Sequence, residues 1–390
     1  MAGSHELGTL LADLALIYLA AKIGGELFLR LKQPAVLGEL VAGLIVGVSG
    51  LQWIDPQQPI LHLMAQIGVT LLLFEIGLES DIKALFRVGK QALAVGLIGM
   101  VAPFALGYGI MTAMGAAPLL SVFVGATMTA TSIGITAKVL SDLKRLNSTE
   151  GKIILGAAIL DDILGIVILS VIAGVTSGTS FSWPSVALIF VKSLAFLTVA
   201  LVVGNLARPY FMRLIQQLRS RGVLLTASLI FAFALAVIAE KLGSAAIIGA
   251  FAAGLVLAKS DQRHDLEKHL RPVTDFFLPI FFVTVGAGVE LGLFADPATV
   301  MLALLLTAAA IIGKLAAGML GTIGAKSSGW IIGAGMVPRG EVGLIFASLG
   351  LGTGVLSGAN HAAVVAMVML TTFIGPLMLN FLIARQKNKP

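Results

Sequence analysis

The chain has no cysteine and very little charge. Disulfide bonds, thiolate nucleophiles and cysteine-ligated metal sites are therefore excluded, and the five histidines are too scattered to predict a metal site. Only 12% of the 390 residues are charged and 58% are hydrophobic, whereas an ordinary soluble domain is about 25% charged. This composition excludes a soluble enzyme, a nucleic-acid-binding protein and a disordered chain.

Long hydrophobic segments take up most of the sequence instead. A helix needs about 20 mostly apolar residues to cross the hydrocarbon core of a membrane. We therefore predict an all-α polytopic membrane protein with thirteen transmembrane helices. In chain order, the predicted spans are residues 8–29, 34–51, 60–79, 91–113, 117–140, 152–175, 184–207, 222–240, 244–259, 272–293, 298–320, 329–350 and 358–384.

Basic residues are distributed unevenly between the predicted loops. Nearly all Lys and Arg residues outside the spans follow odd-numbered spans or lie at the C-terminus, and the opposite side has one, Lys241. Cytoplasmic loops of membrane proteins carry the excess of Lys and Arg. We therefore expect the N-terminus outside and the C-terminus in the cytoplasm. The net charge of +6 then reflects topology and not contact with nucleic acid.

Two parts of the chain match each other at a fixed offset of 211 residues. LGELVAGLIVG begins at Leu37 and IGAFAAGLVLA begins at Ile248, and Gly77 matches Gly288 at the same offset. An odd number of spans separates the copies, so they cross the membrane in opposite directions. Many secondary transporters have such inverted repeats, which here pair spans 1–6 with 8–13. The alternative is chance similarity between helices rich in small residues.

Spans 5 and 12 occupy corresponding places in the two halves, and both contain residues that weaken a helix. Proline removes a backbone donor and clashes with the preceding turn, and freed carbonyls at mid-membrane can face an ion. We expect both spans to be discontinuous helices that cross each other. Span 12 contains Pro338 and Gly340, and span 5 contains a polar run beside Gly134 that comprises Thr127, Thr129, Thr131, Ser132 and Thr136.

Three charged residues lie near the middle of predicted spans, where each charge costs about 2.5–3.5 kcal/mol on insertion scales. Asp161 and Asp162 are adjacent in span 6, and Lys314 lies halfway along span 11. Burial and mutual repulsion favour protonation of the acid pair, and carboxylate oxygen also suits a hard cation. We interpret the pair as a site that holds either protons or a cation, with Lys314 as its partner. A purely structural pair is the alternative.

Two further charges in span 12 have a different interpretation. Arg339 and Glu341 are two residues apart, so they do not face each other on a regular helix, although an unwound segment would let them pair. We expect a mainly structural role for both. The phosphate-binding motif GxxxxGK[ST] is missing from the sequence, which argues against transport driven by ATP. No nucleophile–base arrangement predicts an enzyme.

Six motifs in this order resemble the second family of monovalent cation:proton antiporters, and the resemblance covers all thirteen spans. The motifs are QPAVLGELVAG from Gln33, IGVTLLLFEIGLE from Ile67, ATSIGI from Ala130, LDDILG from Leu160, LPIFFVTVG from Leu278 and VPRGEVGL from Val337.

The resemblance implies a homodimer in which a core domain slides, like an elevator, against a dimerisation domain. The core domain would be residues 91–175 and 298–384. The dimerisation domain would be residues 8–79 and 222–293, with residues 184–207 as a linker helix. Such a protein would be a multi-pass protein of the bacterial cytoplasmic (inner) membrane, surrounded by lipid.

The resemblance also implies a role for each residue of the site. Asp162 would bind Na⁺ and carry a proton, while Asp161 would pair with Lys314 when no ion is bound. Thr131, with Ser132 and Thr129 nearby, would lie beside the site. Alternating access between the repeats would exchange about two protons per sodium or lithium ion. This exchange would be electrogenic and would need no cofactor.

Several alternatives remain open at this point. A potassium/proton antiporter of the same family is the main one. We expect it less because the chain stops at Pro390 without the nucleotide-binding regulatory domain of many potassium-specific relatives. A cation channel would use the same polar cavity, and a bile-acid-type sodium symporter would share the broken-helix architecture. Whether Lys314 itself carries a transported proton depends on geometry that the sequence does not reveal.

Overall fold

A computed structural model describes residues 2–31, 33–80, 88–176, 183–218, 222–242, 245–289, 292, 296–356 and 358–387. These residues form fifteen α-helices and contain no β-strand. By length and composition, eight of the helices in this part of the chain are long and apolar enough to cross a membrane. The fold is therefore all-α, as the sequence predicts.

The helix bounds follow the predicted spans closely in most places. The first eight helices are α1 (Ala2–Arg30), α2 (Ala35–Val46), α3 (Pro59–Glu79), α4 (Gly89–Ala113), α5 (Pro118–Thr127), α6 (Ile133–Asp142), α7 (Thr149–Thr176) and α8 (Trp183–Gln217). The other seven are α9 (Val223–Lys241), α10 (Ala246–Leu257), α11 (Arg263–Ala287), α12 (Pro297–Gly321), α13 (Gly329–Gly335), α14 (Glu341–Gly352) and α15 (Gly358–Lys387).

Two helices extend well beyond the spans that the sequence predicts. Helix α11 begins at Arg263 and not near residue 272, and α8 continues to Gln217 beyond residue 207. Both extensions contain charged residues, and a search for apolar segments stops where the charges begin, although the backbone stays helical. In contrast, α2 and α10 have only 12 residues each, fewer than their predicted spans.

The two segments predicted to be discontinuous are each divided into two helices. Residues 128–132 separate α5 from α6, and residues 336–340 separate α13 from α14. Ser132 begins α6 as an N-cap, because its hydroxyl accepts a hydrogen bond from the backbone N–H of Ile135. Pro338 lies within the second interruption, where its missing N–H costs no helical hydrogen bond.

The helices pack as two groups. Helix α4 packs against α5, α7 and α12, and α12 packs against α13 and α15. Helix α3 packs against α10 and α11, and α2 packs against α1 and α11. We call α4–α7 with α12–α15 the interrupted group, and α1–α3 with α9–α11 the continuous group. Helix α8 contacts both groups, through α7 and through α9 and α10.

Two glycines in the matching segments bring backbones of the continuous group very close together. A Cβ atom at Gly43 of α2 would lie 2.2 Å from the carbonyl oxygen of Val283 in α11. A Cβ atom at Gly254 of α10 would lie 2.2 Å from the carbonyl oxygen of Phe74 in α3. Only glycine permits such an approach, and small residues serve this purpose at helix interfaces in membranes.

Candidate ion-binding site at the interrupted helices

The two interruptions contact each other through hydrogen bonds from residues at the start of α6 to backbone carbonyls at the end of α13 and in the interruption that follows it. The donors and acceptors are Ser132 N to Pro338 O at 2.7 Å, Thr131 Oγ1 to Met336 O at 3.2 Å, and Thr136 Oγ1 to Gly335 O at 2.8 Å. The last carbonyls of a helix have no partner within that helix, and an unsatisfied group is costly where water is excluded. Each interrupted segment thus provides hydrogen-bond partners for backbone groups that the other segment leaves without a partner in its own helix.

Arg339 is wholly buried within the second interruption. Its guanidinium donates hydrogen bonds to the carbonyl oxygens of Met128, the C-cap of α5, and of Val337. Thr372 of α15 donates to the carbonyl oxygen of Arg339. A cation beside the carboxyl end of a helix is favourable, so Arg339 holds the crossing together. The side chain of Glu341 lies outside the described residues, and its predicted pairing with Arg339 stays a prediction.

Lys314 of α12 forms a buried ion pair with Asp161 of α7. Lys314 Nζ lies 2.6 Å from Asp161 Oδ2, and the exposed fractions of the two side chains are 0% and 1%. The ammonium also donates to the carbonyl oxygen of Thr129 at 2.8 Å, and Thr131 Oγ1 donates to the same Asp161 oxygen at 2.8 Å. The expected partner of Lys314, one of the two aspartates, is therefore Asp161.

Asp162 follows Asp161 on α7 and is also buried, with 6% of its surface exposed. Adjacent residues on a helix point about 100° apart, so the two carboxylates share one region while facing different neighbours. The charge of Asp162 acts on Lys314. Two carboxylates, a threonine hydroxyl and the backbone carbonyls of the two interruptions are hard oxygen atoms, the kind of ligand that suits alkali and alkaline-earth cations. The same carboxylates can instead hold protons.

The remaining predicted residues lie close to this site, with different roles. Thr129 accepts a hydrogen bond from Lys314 through its backbone carbonyl, and not through its hydroxyl, and Ser132 caps α6.

Gly134 is one residue inside α6 and not within the interruption, and it packs against α3. Pro338 lies in the second interruption, and Gly340 is the N-cap of α14. The discontinuity in span 5 therefore precedes Gly134.

Two residues of the crossing were not assigned a role from the sequence. Thr136 bonds to the end of α13, and Thr372 bonds to Arg339. Thr136 belongs to the same polar run as Thr131, which could have identified it. Thr372 follows another threonine inside the long apolar helix α15, which is a weaker signal because threonine also bonds to its own helix.

Comparison with known proteins identifies the family to which this arrangement belongs. Residues 15–385 match the family described as "Sodium/hydrogen exchanger, transmembrane". The chain belongs to the sodium/hydrogen exchanger family. It is therefore a multi-pass membrane protein.

Three curated members of this family match nearly the whole chain. The high-affinity Na⁺/H⁺ antiporter NhaS3 of Synechocystis is 41% identical, over 95% of this chain and 89% of that protein. The Na⁺/H⁺-K⁺ antiporter GerN of Bacillus cereus is 38% identical over 95% of both chains. An Na⁺/H⁺ antiporter of Enterococcus hirae is 32% identical, over 94% of this chain and 96% of that protein.

A solved structure has the same fold. The sodium proton antiporter MjNhaP1 from Methanocaldococcus jannaschii superposes with a TM-score of 0.69, covering 99% of this chain and 98% of the other. The two sequences are only 21% identical. The fold of this sodium/hydrogen exchanger family member is therefore shared with a chain of very different sequence.

Proposed function

We propose that the protein exchanges sodium or lithium ions for protons across the membrane, with Asp162 as the carboxylate that binds either cargo. The observation that carries this proposal is the buried Asp161–Lys314 ion pair, 2.6 Å long, beside the adjacent acid Asp162 at the meeting of two interrupted helices. The names of the three curated relatives support sodium and protons as substrates.

The ion pair suggests how the two cargoes compete. With no sodium bound, Lys314 neutralises Asp161, and Asp162 holds a proton. A sodium ion at Asp162 displaces that proton, and its charge also weakens the hold of Asp161 on the ammonium. If Lys314 then releases a proton of its own, about two protons leave for each sodium ion, and one net charge crosses the membrane in each cycle. Competition between the two cargoes for one site, combined with alternating access of that site to the two sides of the membrane, is sufficient for exchange.

We further propose that the interrupted group is the moving core and that the continuous group is the static, dimer-forming part. These groups correspond to residues 91–175 with 298–384 and residues 8–79 with 222–293, joined by the linker 184–207. The packing of the helices into two groups supports this division. The interrupted group holds the site, so its sliding would carry Asp162 between the two sides of the membrane.

The architecture that we propose has thirteen passes, with each interrupted pair of helices counted as one. Inverted repeats relate spans 1–6 to spans 8–13. The paired approaches of Gly43 to α11 and of Gly254 to α3 support this symmetry, since the two glycines are 211 positions apart. The excess of basic residues on one side supports an outside N-terminus and a cytoplasmic C-terminus in a bacterial inner membrane.

Potassium exchange is the second candidate, because the relative GerN is named an Na⁺/H⁺-K⁺ antiporter. A relative named for glutathione-regulated potassium efflux, KefC of Enterobacter, is 31% identical over 71% of this chain. That match covers only 45% of the relative's length. More than half of that relative therefore lies outside the region that resembles this chain, and its name is weaker support for potassium. Sodium remains the substrate that we favour.

Transport by purified protein in proteoliposomes tests the proposal. Sodium or lithium added outside should dissipate an imposed pH gradient, and potassium should do so less. Asp162→Asn should abolish the response while the protein still folds and reconstitutes. Full activity in Asp162→Asn would overturn the assignment of the site. An equal response to potassium would favour the second candidate, and single-channel currents would indicate a channel.

A further inference from the structure

The two helix groups touch where the basic loops lie, at a seam formed by α6 and α15 on one side and α2, α3 and α11 on the other. Asn380 of α15 donates a hydrogen bond from Nδ2 to Oε1 of Gln33, at 2.8 Å. Gln33 lies between α1 and α2. This side-chain contact therefore links the interrupted group directly to the continuous group.

A second contact in the same seam is electrostatic. Lys138 of α6 lines a cavity of about 20 Å³ together with Glu75 of α3 and Asp275 of α11, which is space for about one water molecule. Lys138 also forms an ion pair with Asp142 of its own helix at 3.1 Å. Glu39 of α2 is a further carboxylate whose charge acts on Lys138.

The charges around this cavity are distributed unequally between the two groups. The continuous group contributes three acidic side chains that interact electrostatically with Lys138, those of Glu39, Glu75 and Asp275. The cavity also has Glu79 and Arg271 in its lining. Lys138 and Asp142 come from the interrupted group. One ammonium on the interrupted group, which is paired with Asp142, thus lies near several acidic side chains of the continuous group.

We propose that this seam is a latch that holds one end state of the transport cycle. The latch consists of the Gln33–Asn380 hydrogen bond and the attraction between Lys138 and the carboxylates of the continuous group. This inference rests on the proposed sliding of the interrupted group. A hydrogen bond tolerates little extension beyond about 3.2 Å, so any slide of several ångströms breaks it and separates Lys138 from its partners.

A cross-link across the latch tests this directly, because the natural chain has no cysteine. In the variant Gln33→Cys/Asn380→Cys, a short, reducible bis-thiosulfonate should join positions 33 and 380. Sodium-driven proton flux in proteoliposomes should then fall more than tenfold and recover when dithiothreitol cleaves the linker. Full flux in the cross-linked protein, with loss of free thiols verified by maleimide labelling, would overturn the latch.

A matched control lies within the interrupted group. Arg145 and Gln386 are also hydrogen-bonded through their side chains, but both belong to the group that we propose to move as one body. The variant Arg145→Cys/Gln386→Cys should therefore keep its flux after the same cross-linking. Loss of flux in both cross-linked variants would contradict the latch, because the effect would not be specific to the seam.

The contribution of Lys138 has its own readout, which does not need transport. In the single variant Gln33→Cys, Lys138→Gln should raise the rate of labelling of position 33 by a water-soluble maleimide several-fold, because the seam opens more often. Lys152→Gln removes a charge from α7 and should leave the rate unchanged. Equal rates in all variants would refute the role of Lys138. Absence of sodium-driven flux in the unmodified protein would instead refute the proposed function.

Discussion

Replacing Lys314 with methionine should destabilise the folded protein by about 3–5 kcal/mol, the usual cost of removing one partner of a buried ion pair. The short distance and the complete burial of this pair support a loss of stability in that range. The two charged atoms are 2.6 Å apart, and 0% of the lysine side chain and 1% of the Asp161 side chain are exposed. Methionine fills a similar volume, so the loss is mainly electrostatic. It leaves a buried carboxylate without its cation and the Thr129 carbonyl without its donor.

Unfolding in mixed micelles with increasing dodecyl sulfate, followed by the fluorescence of the three tryptophans, measures this loss. The double variant Asp161→Asn/Lys314→Met should recover much of the stability, since both charges are then gone. Lys192→Met is the matched control, because Lys192 is an exposed lysine on α8 and such a change usually costs less than about 0.5 kcal/mol.

The deficit of Lys314→Met should also shrink as the pH is lowered, because protonation of Asp161 removes the uncompensated charge. A Lys314→Met variant as stable as the natural protein would refute the reasoning. So would a double variant less stable than the single one, since that result would mean that the pair is not the source of the loss.

Three further predictions follow from single contacts. Thr131→Val removes the hydroxyl whose single proton is shared between Asp161 Oδ2 and the Met336 carbonyl, and should weaken sodium-dependent transport about fivefold at low sodium, at about 1 kcal/mol for one hydrogen bond. The pKa of Asp296 is held below its usual value by hydrogen bonds from the Thr299 hydroxyl and N–H. The stability that Asp296 adds as the N-cap of α12 should therefore be complete above the ordinary aspartate pKa of about 3.9 and be lost as the pH falls through the lowered pKa. Acid unfolding measures this loss, and Asp296→Asn should abolish the pH dependence that comes from this residue. Gly254→Val should prevent folding, seen as loss of monodisperse protein, whereas Gly109→Ala, with open space around its Cβ position, should be tolerated.

Much of the site could be predicted because charges are scarce in this sequence. Asp161, Asp162 and Lys314 stand out in apolar segments, and the energetic cost of isolated charges in a membrane requires them to meet. Physical reasoning from the residues alone could not decide which aspartate binds the lysine, because that depends on how α7 is rotated relative to α12; only the family resemblance pointed to Asp161. The structure assigns Asp161, through the 2.6 Å contact.

The exact position of the interruptions was less predictable. Gly134 is a weak helix former, which favours a break at this position, yet it lies in α6, where its lack of a side chain permits packing against Val69. The break lies at Met128–Ser132 instead, because carbonyls and N–H groups freed there find partners on Arg339 and Pro338. Such partners come from residues distant in the chain, and no local pattern reveals them.

Proton release on sodium binding is the measurement that tests the central claim most directly. Purified protein in a weakly buffered detergent solution near neutral pH is titrated with sodium chloride, with choline chloride as the control for ionic strength. If one carboxylate site holds either protons or sodium, sodium should release protons, and raised proton concentration should weaken sodium binding by the same linkage. Asp162→Asn should abolish the release. Sodium binding without proton release, or unchanged release in Asp162→Asn, would contradict the account.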